Sequence, residues 1–228
     1  MAGKAVVLLS GGLDSAVAAA IALHEGFHVH ALTVDYGQRH LRELDAAKGV
    51  ATALGVKVHR ILRVDLAGFG GSALTDKSIN VPEGCPSEAI GTDIPATYVP
   101  ARNTVLLGLG LSWAEALGAD AVFIGAHSVD YSGYPDCRPE FLDAFRRVSA
   151  LGTKRGVEGK PVSIEAPLIR MGKREIIERG KELKVPFELT WSCYLGGKKA
   201  CGKCDSCTIR LKAFAEAGME DPIEYERE

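Results

Sequence analysis

Two hydrophobic periods take turns along the chain. Ala5 to Leu9 is an unbroken apolar run that enters a pair of glycines, and the Ala-rich stretch from Ser15 to His24 has no breaker. Strand, turn and helix are predicted in that order. His28 to Asp35 predicts a second strand. Leu41 to Leu54 carries apolar residues at helical spacing and stops at Gly55, after which Val56 to Leu66 alternates as a strand does. From Ala67 to Thr97 the chain is rich in Gly, Ser, Pro and Asp. A weakly structured segment of that length is usually functional or disordered, and it is read here as a mobile cover. Asn103 to Leu117 resumes as a helix ended by Gly118, followed by a strand at Ala121 to Gly125 and a helix from Pro139 to about Leu151. A strand at Val162 to Pro167 and a helix from Lys173 to Leu183 close the pattern. Strands alternating with such helices imply an α/β fold, a doubly wound and mainly parallel sheet whose ligands lie beyond the carboxyl ends of the strands.

Composition narrows this picture. With 228 residues and 46% hydrophobic content the chain can bury one sizeable core, and the pattern divides it into an α/β unit at 1–189 and an extension at 190–228. No apolar stretch approaches the roughly 20 residues that span a bilayer, and no charged-then-apolar leader precedes Ala5, so a cytoplasmic location without membrane contact is expected. The formal net charge is −2 and the pI about 6.3, which provides no overall positive field for a phosphate backbone. Nucleic acid is therefore not expected as a direct partner. Four of the six cysteines crowd into Cys193 to Cys207, a spacing that reads as metal binding rather than as disulfides.

The first turn carries the clearest chemistry. In Leu9-Ser10-Gly11-Gly12-Leu13-Asp14-Ser15-Ala16 two glycines lie between a strand and a helix, where the backbone can approach an anion and the free amides of the first helical turn attract a pyrophosphate. The lysine of a Walker A loop is missing, so cleavage between the α and β phosphates is the expected chemistry rather than γ-phosphoryl transfer. Asp14 is a carboxylate among phosphate-facing amides, a placement suited to magnesium brought in with ATP; the plainer alternative is an acid that satisfies those amides itself. Among the histidines, His40 and His127 follow strand ends and are the candidates for a general base. Cys137, near a helix start, is a candidate nucleophile, although adenylation needs none.

Cys193, Cys201, Cys204 and Cys207 form two overlapping Cys-x-x-Cys steps with a fourth cysteine eight residues upstream. That matches four thiolates closing one structural zinc site; an iron–sulfur cluster or redox use are the alternatives. Lys198, Lys199 and Lys203 can offset the charge, and Cys207 falls in the first turn of a helix running to Ala217. Such a unit is expected to pin Trp191 against the site.

Ser10-Gly11-Gly12-Leu13-Asp14-Ser15 resembles the signature of the PP-loop ATP pyrophosphatases, and four further stretches narrow the resemblance to the 7-cyano-7-deazaguanine synthases. These are Asp35 to His40, Val99 to Thr104, Asp130 to Arg138, and Trp191 to Tyr194 with the closing cysteines, so the likeness spans nearly the whole chain. The second stretch departs from that pattern at Ala101, where glycine is frequent, so a positive φ is not expected there. The resemblance implies that 7-carboxy-7-deazaguanine condenses with ammonia to a nitrile, through adenylation of first the carboxylate and then the amide, with AMP and pyrophosphate released each time. It also implies a homodimer. Lys173 resembles the lysine aimed at the phosphates, with Arg102 and Arg39 beside it. In the third stretch Tyr131 and Tyr134 would stack on the heterocycle, Asp130 or Asp136 would accept from its ring and amino N–H groups, and Arg138 would pair with its carboxylate. The alternative for that stretch is an ordinary structured loop, with Gly133 and Pro135 setting turns and Asp136 capping the helix near Pro139. Two other readings stand beside the synthase: an RNA-thiolating PP-loop enzyme, and a non-enzymatic zinc module that binds nucleic acid or protein.

Overall fold

The computed structural model of the chain describes residues 3–84, 93–127 and 133–226. Its strands are β1 (Lys4–Leu8), β2 (His28–Asp35), β3 (Val58–Arg63), β4 (Ala121–Phe123) and β5 (Ser163–Glu165). Its helices are α1 (Leu13–His24), α2 (Arg42–Ala53), α3 (Arg102–Leu117), α4 (Pro139–Gly152), α5 (Lys154–Val157), α6 (Lys173–Glu182) and α7 (Asp205–Glu216). The strands form one sheet in the order β3-β2-β1-β4-β5, parallel throughout. The doubly wound parallel sheet read from the sequence is the fold observed.

β1 lies at the centre, which explains why its sequence is continuously apolar rather than alternating. Ala5, Val7 and Leu9 point into the core beneath α1, α2, α6 and α7, while Val6 and Leu8 point into the core beneath α3 and α4. The alanines Ala16, Ala18, Ala19 and Ala22 of α1 are fully buried, so this helix has little side chain to hold it away from the sheet. β3, at one edge, keeps only half-buried and exposed residues. No described helix is long and apolar enough to cross a membrane.

The connections place the site. From β1 the chain steps outward to β2 and β3, then crosses back through α3 to β4 on the other side of β1. The order therefore reverses between β1 and β4, and their carboxyl ends open a crevice at that reversal. β4 is shorter than the alternation suggests because its ladder ends once the Ile124 amide donates to Glu165 at 2.9 Å. Gly125 then passes directly under α1, where a Cβ would lie 2.9 Å from the Asp14 carbonyl carbon and the Ser15 nitrogen.

The mobile cover expected at Ala67 to Thr97 is corrected for its described part. Ser72 and Ala73 are fully buried, and the Ala73 amide donates to Ala96 at 2.8 Å. The Arg39 guanidinium donates to the carbonyls of Asp76 and Ile79 at 3.2 and 2.9 Å, and the Gly84 amide donates to Lys203 at 2.9 Å. The polar composition that resembles a loose loop serves local turns, as where Asp76 Oδ1 accepts from both the amide and the hydroxyl of Ser78.

Gly11 shows how tightly the turn after β1 is enclosed. Its φ is +88°, and a Cβ there would lie 2.3 Å from the Glu43 carbonyl oxygen and 2.6 Å from the Ala47 nitrogen. Gly11→Ala should therefore cost about 2–5 kcal/mol in urea unfolding, from backbone strain plus overpacking. Gly26 has φ +87° with nothing within 4 Å of such a Cβ, and Gly26→Ala should cost only about 1 kcal/mol. Equal losses at the two positions would refute the close approach of α2 as the cause.

Candidate functional site

The segment between β1 and α1 is built around the Ser15 hydroxyl. Ser15 Oγ accepts from the Ser10 amide at 3.2 Å, lies 3.1 Å from Ser10 Oγ, and donates to the Gly12 carbonyl at 3.0 Å. Gly12 precedes α1 in an extended conformation, and no side chain caps the helix. The first helical bond is that of the Ala16 amide to the Gly12 carbonyl at 3.1 Å, so the amides just before it face an open crevice at the positive end of the helix.

Asp14 stands at the edge of this cradle. Lys173, the first residue of α6, donates to both its carboxylate oxygens at 2.7 and 2.6 Å, and His127 Nε2 lies 3.6 Å from Oδ2. Burial alone would raise the carboxyl pKa, but Lys173 and His127 outweigh it and hold Asp14 well below the usual carboxylate range. The folded chain thus sets a lysine beside the carboxylate expected to meet magnesium, so part of the Asp14 charge is balanced by the protein itself.

Two adjoining clefts of similar volume, about 200 and 180 Å³, open from the turn. The first has apolar walls from Leu9, Leu32, Val34, Leu106 and Ile124, with Tyr36 and Asn103 as polar contributors. The second runs between Lys173, Tyr134 and the C-terminal segment, where Trp191, Ser192, Tyr194 and Arg210 line it. Ser10, Gly12, Asp14, Glu43, Arg102 and Cys137 line both, so they mark the junction. Arg102 is the first residue of α3; its Nη1 donates to the Tyr36 hydroxyl at 3.2 Å, and burial pushes the Tyr36 phenol up to about 12. Burial likewise lifts the Glu43 carboxyl to about 7, against the attraction of Arg102.

Of the residues proposed from sequence, the fold gathers Leu9, Ser10, Gly12, Leu13, Asp14, Ser15, Lys173, Arg102 and Tyr134 around these clefts, while Gly11 lines neither and packs against α2. Arg39 lines neither cleft, its guanidinium being held by loop carbonyls. Ala16 faces the core. Arg138 is exposed and lines neither cleft. Asp136 is buried, and its Oδ2 accepts from the Asn103 amide at 2.9 Å, so it caps α3 rather than the helix at Pro139. Asp130 and Tyr131 lie outside the described residues. Cys137 is buried at the junction, its Sγ accepting from Asn103 Nδ2 at 3.1 Å.

Neither histidine proposed as a base lines a cleft. His127 is fully buried beside Asp14, and His40 packs under Gly196. Ala101 does take a positive φ, +52°, contrary to the expectation from its side chain, and this turns the chain into α3 so that Arg102 starts the helix at the junction. Glu43 was missed. The signal for it was faint: it sits one helical repeat before the buried Ala47 and Val50, an acid in the apolar stripe of α2.

The cysteines form a second centre. Cys193, Cys201, Cys204 and Cys207 are buried, unbridged, and bring their sulfurs within 4.8 Å of one another. Tetrahedral metal–sulfur bonds of about 2.3 Å require sulfur separations of about 3.8 Å. Cys201 and Cys207 are already 3.9 Å apart. Amides of Leu195 and Cys201 donate to Cys193 Sγ, and those of Lys203 and Cys204 to Cys201 Sγ, at 3.3–3.4 Å, so the backbone is wrapped to favour thiolates. The four residues suit a closed, four-coordinate metal site. From here the Trp191 amide donates to the Gly11 carbonyl at 2.9 Å, and the Arg42 guanidinium stacks on the Trp191 ring at 4.3 Å. The cysteine centre and the anion cradle are thus tied through one residue.

The profile of the family described as "Queuosine biosynthesis protein QueC" matches residues 4–218. The 7-cyano-7-deazaguanine synthase of Anaeromyxobacter dehalogenans is 54% identical over 98% of this chain and 96% of its own, and that of Thiobacillus denitrificans is 56% identical over 98% of each. Among solved structures, the NMN synthetase of Francisella tularensis is similar with a TM-score of 0.52 at 18% identity, covering 96% of this chain and 79% of that one. A chain from Methanocaldococcus jannaschii described as a subunit of tRNA methyltransferase gives 0.51 at 20% identity, covering 99% and 93%. At such identities these two likenesses establish the fold.

Removing one sulfur should open the cysteine centre. Cys204→Ser is expected to lower the metal content of the purified protein sharply and to reduce its melting temperature, since metal binding and folding are coupled. Unchanged metal by elemental analysis would contradict a four-cysteine site.

Proposed function

The chain belongs to the queuosine biosynthesis protein QueC family, and on that premise we propose that it is an ATP-dependent carbon–nitrogen ligase that converts 7-carboxy-7-deazaguanine and ammonia to 7-cyano-7-deazaguanine. The observation that carries this reading is the junction, where an uncapped helix start, Lys173 and Arg102 meet between an apolar cleft and a polar one. The apolar cleft suits the adenosine of ATP, the amides of the turn its phosphates, and the cleft with Tyr134 and Tyr194 a flat heterocycle.

The chemistry follows from leaving groups. A substrate carboxylate oxygen attacks the α-phosphorus and pyrophosphate departs; nitrogen then attacks the acyl-adenylate carbon, and AMP leaves with the bonding electrons to give an amide. The amide oxygen attacks a second ATP in the same way, pyrophosphate and one N–H proton leaving, and loss of AMP with the other N–H proton leaves the nitrile. Crowded charge at the α-phosphate calls for placed cations more than for a nucleophile, which fits Lys173 and Arg102 and leaves Cys137 without a covalent task. Asp14 holds the Lys173 ammonium in place through two hydrogen bonds. Its oxygens are also the kind of donors magnesium takes, and magnesium arriving with the triphosphate would neutralise the departing pyrophosphate.

We assign the cysteine centre to structural zinc, on the four-thiolate set and its lack of an open position. Residues 190–228 then form a zinc-stabilised extension on the ATP-binding unit at 1–189. A homodimer has a candidate contact in the exposed Val148, Leu151 and Val157, and a cytoplasmic location fits the biosynthetic role. An RNA-thiolating enzyme would share the turn but would need a basic surface and redox-active cysteines; the net charge of −2 and the commitment of four cysteines to one cluster favour the small-molecule reaction.

Protein incubated with ATP, magnesium, ammonium and 7-carboxy-7-deazaguanine should yield the nitrile by mass spectrometry, with two AMP for each nitrile. ADP in place of AMP would overturn the assigned bond cleavage. Lys173→Ala should lower kcat by roughly 10²–10³, and a variant of undiminished rate would remove the lysine from the mechanism.

A further inference from the structure

Three reactive side chains meet at the junction of the clefts, and two of them are already engaged. Asp14 accepts two hydrogen bonds from Lys173, and Cys137 accepts one from Asn103. Glu43 differs. It lines both clefts, yet its carboxyl makes no hydrogen bond or ion pair among the described residues. Its place is fixed by the backbone, since the close approach of α2 to Gly11 brings the Glu43 main chain directly onto the phosphate turn.

The charged and titratable groups around it come from every neighbouring element. Arg102 faces it from α3, the neutral Tyr36 phenol from the end of β2, Asp14 from α1, and Lys173 from α6 across the second cleft. Lys173 is neutralised by Asp14, which leaves Arg102 as the cation acting on Glu43. On its own helix, Arg42 is turned to the Trp191 ring and Asp45 is paired with Lys48.

We propose that the Glu43 carboxylate binds ammonium at the cleft junction and accepts its proton as the nitrogen attacks the adenylated substrate. The inference deepens the ammonia-using reading of this site and rests on it. Ammonium is the prevailing form of the nucleophile at neutral pH and has no lone pair to offer. Transfer of one proton to Glu43 frees the pair, the C–N bond forms as the C–O bond to AMP breaks, AMP leaves with those electrons, and the second N–H proton passes to solvent. A base of this kind works best when its affinity for protons is matched to the working pH, and burial has moved Glu43 from the ordinary 4.5 to about 7. Neither His40 nor His127 lines the clefts to compete for this role.

The test uses the full chain with Glu43→Gln. Substrate-dependent exchange of pyrophosphate into ATP, measured without ammonium, should be retained. Ammonium-dependent amide and nitrile formation at pH 7 should fall by about 100-fold, and the levelling-off of the parent's rate above pH 7 should give way to a continued rise that follows free ammonia. Hydroxylamine, largely unprotonated at neutral pH, should restore acyl transfer as the hydroxamate. The folded-state pKa is raised, so ionising Glu43 lowers stability as pH rises through 7; the glutamine variant should therefore melt no lower than the parent at pH 8, which separates lost chemistry from lost folding. A variant that keeps the ammonium rate and its pH dependence overturns the proposal. So does one that loses pyrophosphate exchange as fully as amide formation, because Glu43 then serves adenylation. Failure of the parent protein to exchange pyrophosphate would instead defeat the ligase reading itself.

Discussion

The start of α1 can receive an anion because backbone, and almost no side chain, occupies the space around it. Gly11 admits α2 from one side and Gly125 admits the chain after β4 from the other, each at distances that a single methyl group would violate. What remains is a helix start that no side chain caps, its positive end in a position fixed by the reversal of strand order. Arg102 and Lys173 are then brought in by helices that begin at the same crevice, so the cations arrive on rigid elements rather than on long loops.

The cysteine centre contributes to the same geometry from outside the sheet. Trp191 bonds to Gly11 on one side and continues into Cys193 on the other, while Arg210 of α7 joins Thr190, Ser192 and the buried Asp221. One wall of the second cleft is therefore made of residues whose positions depend on the extension being closed. A metal held by these four sulfurs would be too enclosed to meet a ligand in the cleft, yet it would help set the position of that wall.

Much of this is legible in the sequence because its signals are local. The run at Ala5, the glycine pair and the alanines of α1 specify strand, turn and helix within neighbouring residues, and the cysteine spacing specifies its cluster in the same way. Errors came where a residue's partner is distant. Arg39 carries a charge suited to phosphate, yet carbonyls some forty positions further on hold it. His40 and His127 follow strand ends, as active-site residues often do, but tight packing keeps both behind the walls. Glu43 shows the opposite error: an acid in the first turn of an amphipathic helix looks solvated until another element covers it.

The cap on α3 has a consequence for how firmly Arg102 is held. Its donor is the Asn103 amide and its acceptor is Asp136, on the far side of β4 in sequence. A helix start secured by so remote a partner carries the entropy of closing that loop, so this cap is a tertiary contact that α3 cannot supply for itself. Anything that loosens the segment after β4 would therefore fray the first turn of α3, and with it the anchorage of Arg102.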